Sequence, residues 1–159
     1  MIGTSETTCE PNTTTTRAML VTVLYRLENK PEISSIGIFD DVPEGEYYSE
    51  AVAWAAANGI VNGYGDGTFG PDDILTREQM AAIMYRYAKY KGYDVSDRAN
   101  LSDFTDADEI SGYAAEAMAW VNAEGIINGT SETTLEPVGD ATRCQFAAIL
   151  YRFCENVAE

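Results

Sequence analysis

A mainly α-helical chain built from internal repeats is the fold class this sequence predicts, on three observations. The pair Thr-Arg recurs as Thr16-Arg17, Thr76-Arg77 and Thr142-Arg143. Each pair opens a run with apolar residues at i, i+3, i+4 and i+7 that reaches Tyr-Arg, the spacing of a helix with one buried face. The recurrence also holds residue by residue: adding 66 carries Trp54 to Trp120, Gly63 to Gly129, Thr68 to Thr134, Pro71 to Pro137 and Tyr85 to Tyr151. Subtracting 126 carries Gly129 to Gly3, Thr134 to Thr8, Pro137 to Pro11 and Arg143 to Arg17. Such self-similarity marks stacked supersecondary units that bury a core jointly.

Two complete helix-loop-helix units are expected, over about 39–93 and 104–159, preceded by one rear half over about 1–30. With 159 residues and 45% apolar content the chain suits one compact domain in which the repeats share a core. Met1 reads as a cut into a larger protein, since the chain opens halfway through a unit.

The opening rear half has Thr16 as its helix start and Leu20, Val23, Leu24 and Leu27 as its apolar stripe, but Met19 leaves its capping box incomplete. Phe39-Asp40-Asp41-Val42, which aligns with Phe104-Thr105-Asp106-Ala107 after a shift of one residue, introduces each full unit. The front helices lie around 48–55 and 114–121, where alanine supplies propensity and Trp54 or Trp120 supplies packing mass. Asn58-Gly59 and Glu124-Gly125 end them, because glycine takes the left-handed cap conformation readily. A loop follows from Gly63 to Pro71 and from Gly129 to Pro137, with an extended bridge between the turns. The rear helices then start at Thr76 with Gln79 and at Thr142 with Gln145, the spacing of a capping box. Their stripes are Met80, Ile83, Met84, Tyr87 and Phe146, Ile149, Leu150, Phe153, and the polar run 92–101 links the units.

A net charge of −16 argues against nucleic acid and against anionic lipid surfaces, both of which require clustered lysine and arginine. No stretch approaches the roughly 18 uninterrupted apolar residues of a spanning helix, and the start is not a basic-then-apolar leader. The absence of histidine rules out Ser-His-Asp and Cys-His catalysis. Cys9 takes the place of Phe69 and Leu135 and is expected to pack as a small hydrophobe. Cys144 and Cys154 fall on one helix about 15 Å apart, too far for a disulfide. Neither a metal site nor a cofactor is expected.

Arg17, Arg77 and Arg143 stand at the start of their helices, where the macrodipole costs a cation about 0.3–1 kcal/mol. One reading pairs each with a neighbouring acid. The other makes each a site for an oxyanion, gripped by the guanidinium and the free amides of the helix start. In that reading Gly63 and Gly129 let a ligand approach the backbone, Gln79, Gln145 and Asp66 lie beside it, and Trp54 and Trp120 are either sugar platforms or core. Arg26, Arg86 and Arg152, nine residues further on, read as ordinary charges near the helix carboxyl end.

The ordered set Phe39-Asp-Asp-Val42, Ala51-Val-Ala-Trp54-Ala, Gly59-Ile60, Asn62-Gly-Tyr-Gly-Asp-Gly-Thr-Phe-Gly-Pro71 and Leu75-Thr-Arg-Glu-Gln79 resembles an S-layer homology (SLH) module. The likeness covers nearly the whole chain. It implies helical repeats arranged as a pseudo-threefold prism whose grooves bind secondary cell wall polymer through a pyruvylated amino sugar, outside the cell at the wall or S-layer. By position the family's ligand-contacting arginine falls on Arg17, Arg77 and Arg143. Two departures put the equality of the grooves in question: the family's final Glu is Met19, Gln79 or Gln145, and the loop after Gly129 is Thr-Ser-Glu-Thr-Thr-Leu. The first unit also lacks a front helix, which another segment or a second copy through self-association would supply.

The function expected is therefore non-catalytic anchoring to a cell wall glycan. The alternative is an assembly module that joins protein subunits, with its arginines locked by acids. Calcium at Asp66, Asp72 and Asp73 misses the loop spacing that such sites use. A glycosidase finds no defined pair of carboxylates.

Overall fold

The computed structural model describes residues 13–158. Cys9, the loop equivalent to 63–71 that would begin at Gly3, and all of the opening rear half before Thr13 lie outside the described residues. Within them are five α-helices: α1 (Arg17–Leu27), α2 (Ser49–Ala57), α3 (Arg77–Lys91), α4 (Ala115–Ala123) and α5 (Arg143–Asn156). Two short 3-10 turns, Ala107–Glu109 and Gly112–Ala114, precede α4. No strand occurs among the described residues, so the fold is mainly helical as expected. The extended bridges between turns are single antiparallel residue pairs, Thr16↔Ile74, Thr76↔Asp140 and Thr14↔Thr142, at equivalent places in the repeat.

The local signals act as their chemistry dictates. Thr76 accepts from Gln79 N and Gln79 returns Oε1 to Thr76 N at 3.1 Å; Thr142 and Gln145 repeat the arrangement. Thr16 keeps only its own half, accepting from Met19 N at 3.2 Å, because methionine cannot reciprocate. Gly59 and Gly125, both at φ 70°, end the front helices in the left-handed region.

The described residues form two compact bodies, Thr15–Ile74 and the set 13–14 with 75–158. The division at Ile74 falls inside the expected unit 39–93, and hydrogen bonds explain it. The free amides of α1 bond forward, Arg17 N to Asp73 O and Ala18 N to Pro71 O, each at 3.0 Å. In the second body Arg77 N reaches Gly139 O at 3.0 Å and Glu78 N reaches Pro137 O at 2.8 Å. Helices α1 and α3 are thus each capped by the loop of the following repeat, and the compact body is out of phase with the sequence unit.

In Thr15–Ile74, α1 packs on α2 with Tyr25 against Trp54 at 5.6 Å between ring centroids. In the other body, α3 packs on α4 with Tyr85 against Trp120, also at 5.6 Å. The tyrosine hydroxyls donate across the same contacts, to Glu50 Oε2 and to Glu116 Oε2, each at 3.3 Å.

The motif at the head of each full unit holds its loop. Asp41 accepts from Phe69 N and Gly70 N at 2.8 Å, and Asp106 from Leu135 N at 2.9 Å and Glu136 N at 2.8 Å. Burial pushes the Asp106 carboxyl up, but the amide bonds from Leu135 and Glu136, its own backbone amide and the Arg77 charge together hold the group below its usual value. A depressed carboxyl adds stability above its unfolded value and loses it as pH falls through the folded one. Asp106→Asn is accordingly expected to lower stability at neutral pH, with the gap from the parent protein shrinking through the acid range; urea unfolding at a series of pH values measures it.

Candidate functional site

Arg17 and Arg77, at the starts of α1 and α3, each reach two backbone carbonyls. Arg17 donates Nε to Phe69 O at 2.9 Å and Nη2 to Asn62 O at 3.1 Å. Arg77 donates Nε to Leu135 O at 2.8 Å and Nη2 to Asn128 O at 3.1 Å. In each body the two carbonyls lie at the start and end of the loop, so the planar guanidinium clasps it shut. Hydrogen bonds to a charged group contribute about 1.5–3 kcal/mol each, more than the roughly 0.3–1 kcal/mol lost to the helix dipole. Bonds to backbone carbonyls therefore offset the poor position. Arg143 begins α5 in the same manner, with its N bonded to Thr13 O at 2.8 Å.

The two clasped loops differ above the guanidinium. Arg17 lies 5.0 Å from the Tyr64 ring centroid and 4.7 Å from that of Phe69, within cation–π range. Tyr64 is fixed there by its hydroxyl, which donates to Asp73 Oδ2 at 2.5 Å. At Arg77 the equivalent residues are Thr130 and Leu135, which offer no ring. A recess of about 230 Å³ opens there, lined by Arg77, Gly129, Thr130, Gln145 and Arg152 among others. No carboxylate is among its lining residues. Burial lowers the Arg77 pKa, Glu136 raises it, Arg152 lowers it and Asp106 raises it.

Of the residues expected at a site, the structure brings Arg77, Gly129 and Gln145 together. Gln79 serves its capping box. Asp66 stands at an exposed loop tip, where Oδ1 accepts from Thr68 N at 3.0 Å and from its hydroxyl at 2.6 Å. Trp54 and Trp120 take the core alternative, with relative exposures of 2% and 0%. The glycines serve packing: a Cβ at Gly63 would stand 2.6 Å from Thr68 O, and one at Gly129 would stand 2.6 Å from Thr134 O and 2.9 Å from Phe104 Cε1. Sequence reasoning passed over Arg152, which returns to the recess because its place on α5 follows Gln145 by seven residues, two helical turns. Its Nη1 donates to Ile126 O at 3.4 Å. Among the described residues no group of three or more acidic or cysteine side chains is placed to hold a metal ion, and no helix is long and apolar enough to cross a membrane.

Two measurements follow from this geometry. Burial and the bond to Asp73 push the Tyr64 phenol up to about 12, against the lowering pull of Arg17. A raised phenol contributes stability that is whole below the free tyrosine value and lost as pH climbs through the folded one. Ultraviolet titration should therefore find one tyrosine ionising near 12 that disappears in Tyr64→Phe. Arg77→Lys keeps the charge but not the fork, and is expected to cost about 1–3 kcal/mol in chemical unfolding; a stability equal to that of the parent protein would refute the clasp.

Comparison with known proteins agrees with this architecture. The family model described as the S-layer homology domain matches residues 38–81 and 103–147. The chain is 35% identical to an amylopullulanase of Thermoanaerobacterium thermosulfurigenes over 97% of its own length but 8% of that enzyme's. It is 29% identical to the surface-layer 125 kDa protein of Lysinibacillus sphaericus, over 88% of the chain and 11% of the relative. A cellulosome-anchoring protein of Acetivibrio thermocellus is 31% identical over 63% of the chain and 22% of its own length. The chain spans only 8–22% of these three relatives, and the segment it matches is the S-layer homology region, which anchors proteins at the cell surface. On the two matched repeats, the chain belongs to the S-layer homology domain family.

Proposed function

We propose that this chain anchors a cell-surface protein by binding an acidic secondary cell wall polymer in the recess beside Arg77. The observation that carries the reading is electrostatic. In a chain with 26 acids and 10 bases, the recess gathers two arginines and no carboxylate among its lining residues. Such a concentration of one sign in a concave site favours an oxyanion, and at physiological salt the distant acids are screened beyond about 8 Å.

Each lining group has a separate part. Arg77, which lines the recess, is spent on closing the loop. Arg152, half-buried and bonded by one long contact, is placed to receive a carboxylate such as that of a pyruvylated amino sugar. Gln145 and Thr130 add polar groups suited to sugar hydroxyls. The equivalent face of Arg17 is covered by Tyr64, so we assign it to support rather than to binding. An assembly role that locks the arginines with acids has less support, since the Arg77 fork is filled by carbonyls.

Retention on purified wall polymer tests the reading. Arg77→Ala is a poor probe because it opens the loop as well. Arg152→Gln, which leaves the clasp whole, is expected to weaken binding at least about tenfold, and Thr130→Trp should block the recess outright. Added salt should weaken the parent interaction. Undiminished retention in both variants would remove the recess from consideration.

A further inference from the structure

Three asparagines in this chain stand directly before a glycine, at Asn58-Gly59, Asn62-Gly63 and Asn128-Gly129. In such a pair the glycine nitrogen can attack the asparagine side-chain carbonyl carbon and close a five-membered ring, since no Cβ hinders its approach. Whether the ring closes depends on how the nitrogen, the side chain and the peptide carbonyl between them are held.

The three pairs are held in two ways. At the end of α2, Gly59 N donates to Ala56 O at 3.2 Å and Asn58 Nδ2 donates to Trp54 O at 2.8 Å, so both reacting groups are engaged. Gly63 N and Gly129 N donate to no group among the described residues, and the exposed side chains of Asn62 and Asn128 bond to none. Their peptide carbonyls are the ones that the clasping arginines take. Arg17 Nη2 donates to Asn62 O and Arg77 Nη2 to Asn128 O, each at 3.1 Å. That contact bears on the chemistry. The nucleophile is the glycine nitrogen after loss of its proton, and the charge left behind spreads onto the asparagine peptide oxygen. A guanidinium donating to that oxygen stabilises the anion, as a fixed cation does for any developing oxyanion.

We infer that Asn62 and Asn128 are sites of intramolecular deamidation, and that conversion of Asn128 shuts the recess beside Arg77 to anionic ligands. Deprotonated Gly129 N bonds to Asn128 Cγ, the Cγ–Nδ2 bond breaks, and ammonia leaves with the proton that the peptide nitrogen gave up. Water then opens the ring at either carbonyl. One opening gives an aspartate; the other carries the main chain through the β-carbon and leaves the α-carboxylate as the side group. The net change is amide plus water to carboxylate plus ammonium, with no oxidation or reduction. Asn128 lines the recess together with Arg77 and Arg152, where no carboxylate stands. Deamidation supplies one from the chain itself, and a polymer carboxylate then meets arginines already paired. The shut-off rests on the recess being the polymer site; the deamidation does not.

The folded protein and its urea-unfolded form are held at mildly alkaline pH, and conversion at the three asparagines is followed by peptide mass mapping. Unfolded, the three pairs should convert alike. Folded, Asn62 and Asn128 are expected to convert at least about tenfold faster than Asn58, whose pair must first break two hydrogen bonds. Equal rates in the folded protein, or Asn58 in the lead, overturn the assignment. Retention on purified wall polymer reads the consequence. Asn128→Asp should bind at least about tenfold more weakly than Asn128→Gln, which adds no charge. Because the Asn128 side chain bonds nothing, both substitutions leave the clasp whole, and urea unfolding of the two variants checks it. If Asn128→Asp binds as well as Asn128→Gln while Arg152→Gln is impaired, the shut-off is overturned and the polymer site stands. If Arg152→Gln is unimpaired as well, the polymer site falls and the shut-off with it.

Discussion

A guanidinium that ties the two ends of a loop together is the contact on which the architecture depends. The loops at 62–71 and 128–137 have no strand partner, so their polar backbone must be satisfied in some other way. Three devices do it. The arginine of a preceding rear helix takes a carbonyl at each end, an aspartate takes two amides near the far end, and a glycine at the near end leaves space where a side chain would collide with the loop's own carbonyl. In return the loop's carbonyls receive the free amides of the helix start. Loop and helix therefore cap one another, which makes a short irregular segment as well bonded as a regular one.

The same exchange explains how much the sequence could reveal. Helix starts and ends were legible because their causes are local: Thr76 and Gln79 lie three residues apart and need no knowledge of the rest of the chain. The defect at Met19 was legible for that reason too. The grouping of halves was not. Arg17 meets Phe69 across 52 residues and Arg77 meets Leu135 across 58, and nothing in a periodic pattern says whether a rear helix closes on its own loop or the next one. The site suffered in the same way. Arg152 looks like any charge near a helix end until the fold sets it beside Arg77, and a tryptophan that recurs in register fits a core and a sugar platform equally well on paper.

Repetition of a scaffold does not carry repetition of a surface. The clasp, the aspartate and the glycine are the same in both described loops, because each answers a backbone requirement. Residues that face outward from the clasp are under no such demand. Tyr64 and Phe69 stack over Arg17, whereas Thr130 and Leu135 leave Arg77 beside a recess. The Tyr64 ring lies against the Arg17 guanidinium, and the Asp73 bond fixes it in place. Identical arginines in identical motifs, both buried, thus have different neighbours, and the difference comes from a loop residue that no helix motif records.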